Sequence, residues 1–253
     1  MAIEFKKKPG IVAYLTAGDP SLAATREIAL AAIDNGADVI ELGVPFSDPL
    51  ADGPVIQRAS ERAVARGTTL RNVLALAKEL RTARPSAGLV LFSYLNPVVR
   101  MGMDTFCAKA ADAGVDGVLL TDMIVEEAAD YLAAMKQNAL APIFLAAPTS
   151  PDARLKAIAA ASQGFVYAIS RVGITGTQQK VASDAPDLVA RLRQFTALPI
   201  AVGFGISNAE HVKAVGEFAD AAVIGSAIVA LIEKTPEPDA AAAIGHFIAG
   251  LRA

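Results

Sequence analysis

Ile11-Val12-Ala13-Tyr14-Leu15-Thr16-Ala17-Gly18-Asp19-Pro20 is the stretch on which the architecture turns. Ile11–Leu15 is short and continuously apolar, as a parallel strand buried on both faces must be. Gly18-Asp19-Pro20 then breaks the run before an amphipathic stretch, Leu22–Asn35. Such a unit opens either a doubly wound open sheet or a closed barrel. The open sheet favours a G-x-G-x-x-G turn at this junction. That spacing is absent, and Pro20 removes a backbone donor where a phosphate would need one. The apolar run through Ala17 is also too short to span a bilayer.

The same unit recurs to the end of the chain. Strands are predicted at Ile11–Leu15, Val39–Leu42, Leu89–Ser93, Gly117–Leu120, Ile143–Leu145, Phe165–Ser170, Ile200–Gly203 and Ala221–Ile224. Helical patterns between and after them cover Leu22–Asn35, Leu70–Arg84, Met103–Ala113, Glu126–Gln137, Asp152–Ala161, Asp187–Phe195, Ala209–Val215 and Ala240–Leu251. Gly36, Gly114 and Gly216 read as helix stops, Ser150-Pro151 as a capped helix start, and Asp239 as an N-cap. Eight β-then-α units in 253 residues fit a single-domain (β/α)8 TIM barrel over 1–253.

Composition narrows the function. Hydrophobic residues make up 53% and charged residues 19%, enough for a large core. The net charge of −3, with no basic block beyond Lys6-Lys7-Lys8 at a solvated end, argues against nucleic acid as a partner. Cys107 is the one cysteine, so no intramolecular disulfide is possible and a reducing, cytoplasmic setting is expected.

Two βα loops exceed the minimal unit, and a barrel puts such loops on its catalytic face. Gly43–Thr69 contains an extra helical pattern, Val55–Arg66. Arg171–Pro186 is rich in Gly, Thr, Gln and Ser, with two glycines, Gly173 and Gly176, and few apolar anchors; Arg171–Ala185 is expected to be a mobile lid after strand six. A phosphate site is expected where Gly203-Phe204-Gly205 ends strand seven and Gly225-Ser226 follows strand eight. A short helical pattern, Ala227–Ile232, comes next. Glycine lets amides approach an anion, and a helix start adds partial positive charge.

Glu41 is a carboxylate inside an apolar strand. Burial without a cation would raise its pKa, which suits a group that both gives and takes a proton. Pairing with a core cation is the structural alternative, although no Lys or Arg lies in the strand runs. Asp48 and Asp52, on the following loop, fit either chemistry or turn-making. A Schiff-base lysine would have to project from a strand, whereas the internal lysines fall in helical patterns, in the long loop or after the short extra helix. The two histidines, His211 in a helix and His246 near the C-terminus, make no metal-ligand set. What remains is carboxylate acid–base chemistry on a phosphate ester whose substrate supplies its own electron sink.

Glu41-Leu42-Gly43-Val44-Pro45-Phe46-Ser47-Asp48-Pro49-Leu50-Ala51-Asp52-Gly53-Pro54 resembles the signature of the tryptophan synthase alpha subunit family. The resemblance extends over the whole chain, through Thr16–Pro20, Ser170–Gly176, Gly203–Ser207 and Gly225–Val229. It implies retro-aldol cleavage of indole-3-glycerol phosphate to indole and glyceraldehyde 3-phosphate in L-tryptophan biosynthesis, with indole as the electron sink. It implies Glu41 as the acid–base group and Asp52 as the acceptor of the indole N–H. Tyr167 matches a tyrosine near Glu41, and Thr175 the threonine that hydrogen-bonds Asp52. Gly176, Gly205, Gly225 and Ser226 match phosphate donors, and Tyr14, Ile56, Phe92 and Phe204 wall the indole. No cofactor is implied for this chain; the implied partner is a PLP-dependent beta subunit in an alpha2-beta2 heterotetramer. Asp122-Met123-Ile124 departs from the family, which commonly has proline there, on a loop that faces the partner in relatives. A free-standing lyase and a non-catalytic phosphate-binding barrel are the competing readings.

Overall fold

The described strand segments form one parallel sheet whose two ends meet. They are β1 (Gly10–Thr16), β2 (Val39–Gly43), β3 (Gly88–Ser93), β4 (Gly117–Leu120), β5 (Ala141–Ile143), β6 (Leu145–Ala146), β7 (Val166–Ile169), β8 (Ile200–Gly203) and β9 (Ala221–Ile224). This is a computed structural model, and it describes residues 3–169, 184–203 and 205–252. The order is β5-β4-β3-β2-β1-β9-β8-β7-β6. Only Phe144 separates β5 from β6, so the sheet closes into an eight-stranded TIM barrel with its fifth strand split. The uninterrupted strand expected over Ile143–Leu145 bends at Phe144. Its ring turns outward to meet Tyr131 edge-on at 6.2 Å, while its carbonyl still accepts the Tyr167 N–H at 3.1 Å.

The helices are α1 (Leu22–Asp34), α2 (Pro54–Ala65), α3 (Leu70–Ala83), α4 (Leu95–Met101), α5 (Met103–Asp112), α6 (Ala129–Gln137), α7 (Asp152–Ala161), α8 (Ala185–Leu192), α9 (Ala209–Gly216), α10 (Ser226–Lys234) and α11 (Glu237–Gly250). None is long and apolar enough to cross a membrane. The extra helices expected after the second and eighth barrel strands are α2 and α10. The unexpected one is α4: Pro97 reads as a breaker, yet it falls in the first turn, where its missing N–H is no loss.

Several local signals resolve differently from the sequence reading. Gly36 and Gly114 do stop helices with positive φ, of 113° and 76°. Gly216 instead closes α9 from within, because a Cβ there would lie 2.7 Å from Pro9 Cδ. Ser150 caps nothing, since Pro151 holds the cap position of α7. Asp239 lies in the first turn of α11, which starts earlier, behind Pro236. The loop expected to be mobile lies outside the described residues as far as residue 183, with Thr175 and Gly176; Phe204 lies outside them too.

Alternation along the strands sorts the core. Val12, Val39, Val90, Leu119, Ile143, Phe165, Ala201 and Ala221 fill the barrel, while their chain neighbours pack outward against the helices. At the N-terminal ends of the strands, three aspartates act as clamps. Asp38 accepts the Ile11 N–H at 2.8 Å, Asp116 the Leu89 N–H at 2.8 Å, and Asp220 the Ile200 N–H at 2.9 Å. Each stands one residue before a strand, grips the preceding strand and is ion-paired, to Arg252, Arg81 and Arg193 respectively. The bottom of the barrel is thereby fixed, and the opposite mouth is left to the βα loops.

Candidate active site

Strand parity places Glu41 inside the barrel mouth. Val39 faces inward on β2, so Glu41 and Gly43 do as well, with Glu41 in register between Tyr14 on β1 and Val90 on β3. The carboxyl is fully buried, and neither oxygen has a hydrogen-bond partner among the described residues. Water hydrates a carboxylate far better than apolar walls do, so burial pushes its pKa up to about 8. Glu41 therefore carries a proton at neutral pH. Among the described residues no cation pairs with it.

Asp52 reaches the same mouth from the β2–α2 loop. Gly53 is the N-cap of α2 and Pro54 its first residue, a start that needs no side-chain cap. The loop is tied down locally: Asp52 N–H donates to Pro49 O at 3.0 Å, and Gln57 Nε2 donates to Asp52 O at 2.8 Å. The Asp52 carboxylate accepts the Tyr94 hydroxyl at 3.0 Å, and that hydroxyl accepts the Ala51 N–H at 2.9 Å. Burial raises Asp52 to about 6, with the Tyr94 hydrogen bond opposing the rise. Two carboxylates in one pocket are thus set apart, one protonated and one ionised at pH 7, the arrangement acid–base chemistry requires. Asp48 is exposed, bonded to Ser47, and outside the pocket.

The pocket, counted out into open solvent, spans about 560 Å³. Tyr14, Ile56, Phe92 and Tyr167 line it with Glu41 and Asp52, and Gly205, Gly225 and Ser226 complete the wall. Tyr14 and Phe92 meet edge-on at 5.2 Å. Glycine makes room for both phenols: a Cβ on Gly43 would lie 2.3 Å from the Tyr14 hydroxyl, and one on Gly203 would lie 2.3 Å from that of Tyr167. Opposite the carboxylates, Gly225 is the N-cap of α10, and Ser226 and Ala227 begin that helix. Its uncapped first-turn amides and dipole offer an anion site.

An ion-pair network holds these parts together. Arg62 on α2 donates through Nε and Nη2 to buried Asp19 at 2.9 and 2.7 Å, and through Nη1 to Glu233 on α10 at 2.7 Å. Arg58 grips the same glutamate, and the two guanidiniums hold Glu233 down near a pKa of about 2.

All nine described residues predicted for the site converge on this pocket. Sequence reasoning missed Tyr94, together with Ile206, Ser207, Val223 and Ala227 on the wall. Position alone signalled Tyr94, the first residue after a barrel strand on the catalytic face. His211 is buried and folds back on the Ser207 N–H at 3.3 Å, a packing role.

Fold and site define a TIM-barrel enzyme of the acid–base kind. Residues 1–247 match the family model described as tryptophan synthase alpha chain, and the chain belongs to that family. It is 51% identical to the tryptophan synthase alpha chain of Solibacter usitatus over 92% of this chain and 86% of that one. To the alpha chain of Burkholderia thailandensis it is 47% identical, over 100% and 93%. Among solved structures, a chain of the tryptophan synthase complex from Pyrococcus furiosus superposes with a TM-score of 0.90 at 37% identity, covering 97% and 98% of the two chains. A chain of Mycobacterium tuberculosis tryptophan synthase gives 0.89 at 37% identity, over 97% and 93%.

Proposed function

We propose that this chain, acting as a single catalytic domain, cleaves indole-3-glycerol phosphate to indole and glyceraldehyde 3-phosphate. The observation that carries the reading is the pairing of Glu41, buried and without a hydrogen-bond partner among the described residues, with ionised Asp52 across one pocket from the start of α10. Glu41 enters protonated and gives its proton to indole C3. The ring becomes an indolenine cation, and Asp52 accepts the ring N–H and balances the charge. Glu41, now a carboxylate in an apolar site, takes the proton of the side-chain hydroxyl. The bond between C3 and that carbon breaks, its electrons return to the ring, and an aldehyde forms. Glu41 ends protonated as it began. Gly205, Gly225 and Ser226 hold the phosphate, with Tyr14, Ile56, Phe92 and Tyr167 packed about the indole.

The partner is a tryptophan synthase beta subunit, in an alpha2-beta2 assembly such as that described for Pyrococcus furiosus. Leu50, Val99 and Ile124 support this: they are large, apolar and exposed, and lie on three successive connections of the catalytic face, Leu50 and Ile124 on loops and Val99 on α4. This chain needs no cofactor of its own for the steps above; PLP chemistry belongs to the beta subunit. A cytoplasmic setting keeps buried Cys107 reduced.

Incubation with indole-3-glycerol phosphate, with and without beta subunit, tests the reading through release of indole. Indole from the wild-type chain, and none from Glu41→Gln or Asp52→Asn, is expected. No indole from wild type in either condition, or wild-type rates from Glu41→Gln, would overturn it.

A further inference from the structure

Asp52 sits on a loop, yet the chemistry proposed above needs its carboxylate at one spot. Among the described residues a single side chain donates a hydrogen bond to that carboxylate, and it comes from a different part of the fold. Tyr94 stands between β3 and α4, 42 residues further along the chain, and its hydroxyl reaches Asp52 Oδ2 at 3.0 Å.

The mount of Tyr94 is rigid. Its ring is 6% exposed and lies against Phe46 with centroids 5.1 Å apart. Its carbonyl accepts from Ser93 Oγ at 2.9 Å, and the next N–H, that of Leu95, is held by Asp122 Oδ1 at 2.7 Å. The hydroxyl is directional as well. One lone pair takes the Ala51 N–H at 2.9 Å and the Thr121 hydroxyl interacts with the same oxygen, which leaves its own hydrogen for Asp52.

We infer that Tyr94 is a positioning residue, fixing the Asp52 carboxylate and the 46–52 loop at the pocket through a two-point bond to Ala51 N–H and Asp52 Oδ2. The inference rests on the role proposed for Asp52. A hydrogen bond from a fixed donor favours the charged carboxylate, and it opposes the burial that pushes Asp52 up to about 6. Other groups facing the carboxylate from the barrel are Glu41 on β2, Tyr14 on β1 and Tyr167 on β7, all proton-bearing at neutral pH. None offers Asp52 the compensation that Tyr94 does.

Tyr94→Phe is the test, since it keeps the ring on Phe46 and removes only the hydroxyl. Asp52 is followed by carbon-13 NMR of labelled aspartate carboxyls in the full chain, its signal assigned by its loss in Asp52→Asn. In Tyr94→Phe its titration is expected to move up by about one pH unit. The acid limb of kcat/KM should move with it, and kcat should fall by about tenfold or more, with KM changed far less. An unmoved Asp52 titration and acid limb would overturn the inference, even if the rate fell. Full activity in Asp52→Asn would instead sink the role given to Asp52, while the titration still decides whether Tyr94 holds it.

Discussion

Tyr14 and Glu41 are register partners across the β1–β2 ladder, yet the phenol gives the carboxyl no hydrogen bond and only stands beside it. Such a site costs stability. Glu41 is held to about 8 in the fold, against an unfolded value near 4.5. Between those values the unfolded chain releases the proton and the folded chain keeps it, so rising pH favours unfolding, by up to about 1.4 kcal/mol per unit. Glu41→Gln removes this loss. Cleavage should fall by at least about 10²-fold. Thermal unfolding of both proteins at pH 5 and pH 8 should show the variant gaining on wild type as pH rises. A constant gap would contradict the buried, uncompensated carboxyl.

The same two carboxyls set the pH dependence of catalysis. Asp52 must be ionised, which holds above about 6, and Glu41 must enter protonated, which holds below about 8. A bell-shaped kcat/KM with its top between those values is expected, measured from pH 5 to 9 on the free chain or the complex. Activity still rising at pH 9 would mean that Glu41 enters as a base.

Gly43 lies under the Tyr14 phenol, with its absent Cβ 2.3 Å from the hydroxyl oxygen and 2.6 Å from Cζ. Gly43→Ala must push the ring into the pocket or bend β2. A cost of about 1–3 kcal/mol is expected, together with a fall in kcat/KM. Tyr14→Leu, combined with it, should recover most of the melting temperature, because the colliding atoms are gone. Purely additive losses in the double variant would show that the two residues do not collide.

What the sequence disclosed follows from what each residue does alone. Parallel strands buried on both faces read as apolar runs, so the barrel was legible from Ile11–Leu15 onward. Glu41 was legible because a carboxylate inside such a run is anomalous by itself. Tyr94 was not: an aromatic at a strand end reads as core, and its meaning comes from a carboxylate 42 residues away. α4 was hidden because seven residues with a proline carry too little periodicity. Gly216 does end α9, but its reason, the ring of Pro9, is distant in sequence and leaves no local mark. Asp38, Asp116 and Asp220 carry no signal in the sequence, because a grip on the neighbouring strand leaves no local pattern.

Those three aspartates give the clearest separation of stability from catalysis. Asp116 is buried, accepts the Leu89 N–H at 2.8 Å and pairs with Arg81 Nη2 at 2.6 Å, while its carbonyl takes the Ala141 N–H at 2.9 Å. It therefore joins β3, β4 and β5 at the end of the barrel opposite Glu41 and Asp52. Asp116→Ala leaves a buried amide unpaired and Arg81 without its counter-ion, a loss of about 3 kcal/mol. Asp116→Asn keeps the shape and an acceptor for Leu89, so it should lose less. Denaturant unfolding should rank wild type above Asn, and Asn above Ala, with equal m-values. Because the pocket lies at the other end of the strands, kcat/KM per folded molecule should match wild type in both variants. A catalytic loss larger than the unfolded fraction would mean that the clamp sets the geometry of the mouth as well as the stability of the base.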